Sequence, residues 1–343
     1  LVSGAFGGLN NWLTTCIQHP VALGAVYFML IGALRGFLSV PIDAYRSLVV
    51  EERFGFNQMT LATFITDKLK GALLSLILVL PLGALVLWLI TALGPGFWLP
   101  VTGLVMGLSL IMSLLGTRLI LPLFNTLSPL PEGSLKARIK AFAEAHDFPV
   151  SGIYTMNGSL RSNKANAFFT GLGRTKKIVL FDTLLDQYSE DEVLAILAHE
   201  IGHFKRGHIP KGMVLSALST ALLFFLLSRV AFSEPLSVAL GADQAYVHLN
   251  LLAFALLYQP VSLGLNILSN ALSRRFEYEA DAFAAQTAGS AALISGLQRL
   301  ATRHLDHLNP HPAFTFVYNS HPPVPVRIRA LASLQAEAAG DPN

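Results

Sequence analysis

Five apolar stretches, near residues 22–44, 69–93, 98–124, 211–232 and 247–272, are each long enough to cross a bilayer, and they decide most of what this chain can become. A hydrocarbon core of roughly 30 Å takes about 20 helical residues. Only helices and closed barrels satisfy every backbone N–H and C=O at that depth. The chain is 53% hydrophobic and 13% charged, where a soluble domain carries about 25% charged residues. An α-helical multi-pass membrane protein follows.

The connections sort by charge. The linker "GPGF" at 94–97 is uncharged, and 233–246 holds Glu234 and Asp243 but no Lys or Arg. By contrast 45–68 holds Arg46, Arg53 and Lys68, and 127–211 holds eleven Lys and Arg. The positive-inside rule places the basic segments in the cytoplasm, and five spans then alternate without conflict. Arg35 and Arg118 fall inside spans, where a charge faces a cavity or bundle interior, or pairs with a neighbour such as Asp43. The first residue is Leu, with no charged segment before an apolar one, which reads as an interior start rather than a signal peptide. A single cysteine, Cys16, excludes an internal disulfide or a cysteine-rich metal site. Net charge is only +3 and forms no basic patch interleaved with aromatics, so nucleic acid is not an expected partner.

Residues 127–210 change character and predict a cytoplasmic α+β segment between transmembrane parts 1–126 and 211–276. An amphipathic helix follows the Pro-rich "LSPLPEG". "GIYTM" and "NAFFTGLGRTKKIVLFDTLL" read as short strands, the latter two joined by a Gly-containing turn. A helix starts near Glu190, with Ser189 and Glu192 spaced as a capping box. From Glu277 to the end the chain is polar again and completes this domain, with a frayed tail "AEAAGDPN".

On the helix from Glu190, His199 and His203 are i and i+4, so both imidazoles leave one face with Glu200 beside them. That spacing supplies two ligands of a tetrahedral zinc and a carboxylate to take a proton from water. Cys16 being alone, the other ligands must be His or carboxylate. The HExxHxxGxxH pattern fails, because Arg206 and Ile209 occupy its later positions. His304 and His307 in "RHLDHL" are one candidate third ligand. Glu277 in "SRRFEYEADAFA" is the better one. It shares a helix face with Asp281, which can accept the N–H of a ligand histidine, and it begins where the fifth span ends, as the HExxH helix ends where the fourth begins.

"HEIGH", "SRRFEYEADAFA", "NAFF", "KIVLFDTLL", "SHPP", "VVEERFGFNQMT" and "LSPLPEG" together resemble the integral-membrane zinc CAAX prenyl proteases of the a-factor-converting type, from about residue 25 to 331. The resemblance implies a zincin-like α+β metallopeptidase domain and seven transmembrane helices around a water-filled chamber, two of them before residue 1. It implies one zinc per chain held by His199, His203 and Glu277, Glu200 as general base, and Asp281 behind a ligand histidine. It assigns His321 to the oxyanion or substrate, and Asn166, Ala167, Phe168 and Arg327 to substrate binding. Two departures stand out. The final motif has Val326 where the family has an acid before the arginine. The stretch before the strand reads "SNKANAF", with Lys164 in place of a small or histidine residue.

The function so implied is zinc-dependent hydrolysis of peptide bonds, removing the C-terminal tripeptide of prenylated proteins, by an enzyme whose active site faces the cytoplasm. The partners are a peptide or protein substrate, prenylated or not, and the bilayer. The Ala/Leu-rich composition points to a bacterial member and so to an inner membrane; a eukaryotic one would reside in the endoplasmic reticulum or inner nuclear membrane. The rivals are a broad-specificity quality-control metalloprotease and a non-catalytic scaffold keeping zinc for structure; Glu200 argues against the second.

Overall fold

The computed structural model describes residues 4–171 and 176–338; the turn expected at 172–175 and most of the tail lie outside them. Its backbone contacts fall into two units. One comprises Leu1–Glu51, Thr60–Leu110 and Leu215–Ser262, the other Glu52–Met59, Ile111–Val214 and Leu263–Asn343.

The first unit is helical. Pro20–Tyr45 opens with proline at its first position, where no N–H is needed, and His19 accepts from the Ala22 N–H. Leu61–Leu74 is capped by the Thr60 hydroxyl. Leu80–Leu93 ends at Gly94, whose φ of +54° suits only glycine. A single 3₁₀ turn, Gly94–Phe97, then leads into Trp98–Leu119. The stretches expected at 69–93 and 98–124 are therefore one apolar helical run, Leu61–Phe124, of 64 residues divided at that turn. By length and composition Pro20–Arg53, this run and His208–Ser228 can each cross a membrane. A fourth is Val247–Leu257 with Gln259–His304, bent by 52°. Their outer faces carry Phe37, Ile42, Leu69 and Val79, each more than 60% exposed, an apolar surface that lipid rather than water solvates. Asp43 takes Lys68 at 2.6 Å; Arg35 is exposed.

The second unit holds a four-stranded sheet of order β1-β2-β4-β3. β1 is Leu127–Pro129, β2 Val150–Met156, β3 Ala167–Thr170 and β4 Lys176–Phe181. β2 and β4 run parallel, with Ile153 opposite Ile178, while β3 is antiparallel to β4, with Ala167 opposite Leu180. β3 thus lies at a sheet edge. The alternating residues Ile178 and Leu180 meet Ile139 of the helix Ser134–Ala145 and Val193, Leu197 and Ile201 of the helix Glu190–Lys205. Each such buried side chain stabilises by roughly 1.5–3 kcal/mol. Glu52–Met59 groups with this unit rather than with the helices that flank it in sequence. Asn57 bridges Ser162, and the Phe56 carbonyl accepts from the Asn163 N–H at 3.0 Å.

Candidate metal centre

The helix Glu190–Lys205 begins as its sequence requires. The Ser189 hydroxyl accepts from the Glu192 N–H while the Glu192 carboxylate accepts from the Ser189 N–H, closing a capping box. Val193, Leu197 and Ile201, spaced i, i+4 and i+8, face the sheet. His199, Glu200 and His203 are thereby turned to the other side. There they line a cavity of about 460 Å³ with Phe168, Phe169, Ile209, Glu277 and His321.

Glu277 and Asp281 come from the helix Gln259–Ala284, and a close approach brings them to the histidines. A Cβ on Gly202 would stand 3.1 Å from the Cα and carbonyl oxygen of Ala280 and 3.2 Å from Phe283 Cβ. A side chain at that position would push the two backbones apart by a few tenths of an ångström. Gly202→Ala is accordingly expected to destabilise the protein by about 1–3 kcal/mol and to lower its metal content. The substitution lies between His199 and His203 and pushes on the residue between Glu277 and Asp281. Thermal unfolding and metal analysis check this, and unchanged values for both would show that the contact is dispensable.

Among the described residues one group of His and carboxylate atoms could hold a metal ion: His199, His203 and Glu277. The two Nε2 atoms are 3.1 Å apart. Glu277 Oε1 is 3.3 Å from His203 Nε2, and its Oε2 is 3.6 Å from His199 Nε2. A tetrahedral ion with bonds of about 2.0–2.1 Å spaces its donors roughly 3.3 Å apart. Glu277 Oε2 is buried without a hydrogen bond, although Arg327 Nη1 comes within 3.2 Å. A buried carboxylate whose two oxygens stand against two imidazole nitrogens, one oxygen without a hydrogen bond, fits a cation. His304 and His307 are not part of the group.

Behind His199 the arrangement is closed. Its Nδ1 donates to Asp281 Oδ1 at 2.9 Å. Arg327 grips the same carboxylate with Nε on Oδ2 at 2.8 Å and Nη2 on Oδ1 at 2.6 Å. Arg327 is 8% exposed, and the guanidinium that the resemblance assigned to substrate pairs with Asp281 and Glu277. His321 reaches Glu277 Oε1 with Nε2 at 3.2 Å, while Ser320 Oγ holds its Nδ1 at 2.9 Å. Asn166 is exposed, its side chain accepting from the Ala167 N–H, and Ala167 and Phe168 lie on the edge strand β3.

The two carboxylates of the site are pushed in opposite directions. Burial raises Glu200 above the usual carboxylate range, only partly offset by the histidines. Burial acts on Glu277 too, but the close contact with His203 and the charges of His199, Arg327 and His321 outweigh it and bring the group below that range. Such a split separates a proton-carrying group from one that stays ionised. Sequence reasoning missed His208 and Glu279, which lie directly behind His203.

A model of Peptidase family M48 matches residues 129–335, and one of the CAAX prenyl protease N-terminal region, five membrane helices, matches residues 1–126. The chain belongs to peptidase family M48. It is 31% identical to the human CAAX prenyl protease 1 homolog, over 93% of this chain and 75% of that protein. It is 32% identical to CAAX prenyl protease 1 of Saccharomyces cerevisiae, over 91% and 72%. The crystal structure of S. mikatae Ste24p superposes with a TM-score of 0.90 at 29% identity, covering 96% of this chain and 81% of that one. This member of M48 is a multi-pass membrane metallopeptidase similar to the CAAX prenyl proteases over most of its length.

Proposed function

We propose that the ion is zinc, one per chain, held by His199, His203 and Glu277, and that the enzyme cleaves the C-terminal end of prenylated CAAX-type substrates. The observation that carries this reading is the three-donor cluster with Glu200 on the wall of the same cavity. Zinc bound there would polarise the scissile carbonyl and acidify a neighbouring water. Glu200 takes the proton of the attacking water and returns it to the leaving amine; its raised affinity for protons suits both steps. His321, exposed at 63% of its side chain and held by Ser320, donates Nε2–H to the oxyanion. The edge strand β3, with Ala167 and Phe168 and with Asn166 just before it, pairs with extended peptide by main-chain hydrogen bonds. Arg327 holds Asp281, and through it the orientation of His199. Phe168, Phe169 and Ile209 give the cavity an apolar wall beside the scissile bond, which favours a lipid-modified peptide. The basic segments 45–68 and 127–211, which the positive-inside rule assigns to the cytoplasm, support an active site on that side.

The test is zinc content and cleavage of a farnesylated CAAX-type peptide by the detergent-solubilised protein, beside its unprenylated twin. One zinc per chain and cleavage that depends on the prenyl group is the expected result. Equal cleavage of both peptides would move the assignment to broad quality control, and absence of zinc would remove the central claim.

A further inference from the structure

Every imidazole that ligates an ion through Nε2 has an Nδ1–H to place, and here the two histidines place it differently. His199 gives its proton straight to the Asp281 carboxylate. His203 faces another imidazole: its Nδ1 lies 3.0 Å from His208 Nδ1. His208 Nε2 then lies 3.1 Å from Glu279 Oε2, and Glu279 Oε1 accepts from Arg275 Nε at 3.0 Å. His208 is only 5% exposed and stacks on Phe276, with ring centroids 4.1 Å apart and planes at 10°. The stacking fixes the plane of the ring.

Only one proton arrangement fits these contacts with neutral rings. A carboxylate only accepts, so His208 must carry its proton on Nε2 and point it at Glu279. Its Nδ1 is then a lone pair, which accepts the Nδ1–H of His203 and leaves His203 Nε2 free for the cation. We propose that His208 and Glu279 are positioning residues for His203, selecting the ring nitrogen it offers to the ion and fixing how tightly the ion is held. The proposal rests on the metal-site reading above. It also makes the two ligand histidines unequal: His199 leans directly on an anion, His203 on a neutral ring that relays one.

The test uses the full chain in detergent and zinc alone as the probe, with affinity read by competition against a chromogenic chelator. Asn at position 208 keeps an acceptor where Nδ1 stands, whereas Gln places its amide nearer Nε2; both lose the stacking on Phe276 equally. His208→Gln is expected to weaken zinc binding by about 10–100-fold, and His208→Asn by no more than about threefold. Glu279→Gln, at a half-exposed position that folding tolerates, should fall between them. Zinc affinity equal in His208→Gln and His208→Asn would reduce His208 to packing and overturn the proposal, as would Glu279→Gln indistinguishable from the parent. Failure of the metal-site reading looks different, because the unsubstituted chain would then bind no zinc.

Discussion

Glu200→Gln is expected to lower peptide cleavage by about 10²–10⁴-fold while leaving the metal content of the purified chain unchanged. The three donors that could hold an ion come from His199, His203 and Glu277, and Glu200 contributes only its carboxylate to the cavity they line. Glutamine preserves its size and its place on the helix but accepts no proton in the working pH range. The loss should therefore appear in kcat, because the missing interaction is made in the transition state and not in the bound ground state. Metal analysis beside steady-state kinetics on one peptide checks both halves. Activity within tenfold of the parent would transfer the proton to another group. Loss of the ion with the activity would make Glu200 a ligand instead of a base.

Why the two halves of this site differ in how well sequence discloses them is a matter of range. Ser189, Glu192, His199, Glu200 and His203 lie on one unbroken helix, so 3.6-residue periodicity alone puts cap, core face and metal face in their places. Glu277 is 74 residues beyond His203, and its selection needed its helix spacing to Asp281, its position at the end of a span and the family resemblance. His208 was hidden by a break. Continued helical phase would turn residue 208 well away from residue 203, but the chain leaves the helix at Arg206 and turns at Gly207, where φ is +67°. That turn swings the ring back onto His203, and no periodicity reports it. β1 escaped for a similar reason: three residues that include Pro129 have no strand signature of their own and are defined by pairing with β2. The segment Glu52–Met59 likewise reads as a span connection until its contacts with Ser162 and Asn163 are visible. The partner of Arg327 is 46 residues away on another helix, so the motif around Arg327 showed an arginine near the site without showing what it grips.

Replacing Asp281 alone should be among the most damaging single changes in the protein, and the damage should divide into two separable parts. Asp281 is 2% exposed and Arg327 8%, and the fork between them excludes water. Asp281→Leu breaks the fork and leaves the buried guanidinium with Glu277 alone, which costs about 3–5 kcal/mol. It also removes the acceptor of His199 Nδ1–H, worth about 10–100-fold in metal affinity. Adding Arg327→Met takes away the guanidinium, so the double variant should be more stable than Asp281→Leu, incompletely because Glu277 then loses the cation 3.2 Å from its Oε2. It should bind zinc no better, since His199 still lacks its acceptor. Acid sensitivity gives a third reading. Burial on its own would raise Asp281, but hydrogen bonds and charge from Arg327 and His199 bring it down from 3.8 to about 2. A group whose folded value is depressed stabilises above the unfolded one and loses that contribution as pH falls through the folded one. In the metal-free parent roughly 2 kcal/mol should therefore disappear between about pH 4 and pH 2, and the double variant should lack that loss. Thermal unfolding against pH, with chelator competition for zinc, resolves all three. A double variant that recovers zinc affinity along with stability would mean the carboxylate serves the fold and does not orient His199. Recovery of stability alone means the buried pair is retained for the metal site, because a hydrophobic pair would have held the two helices as well.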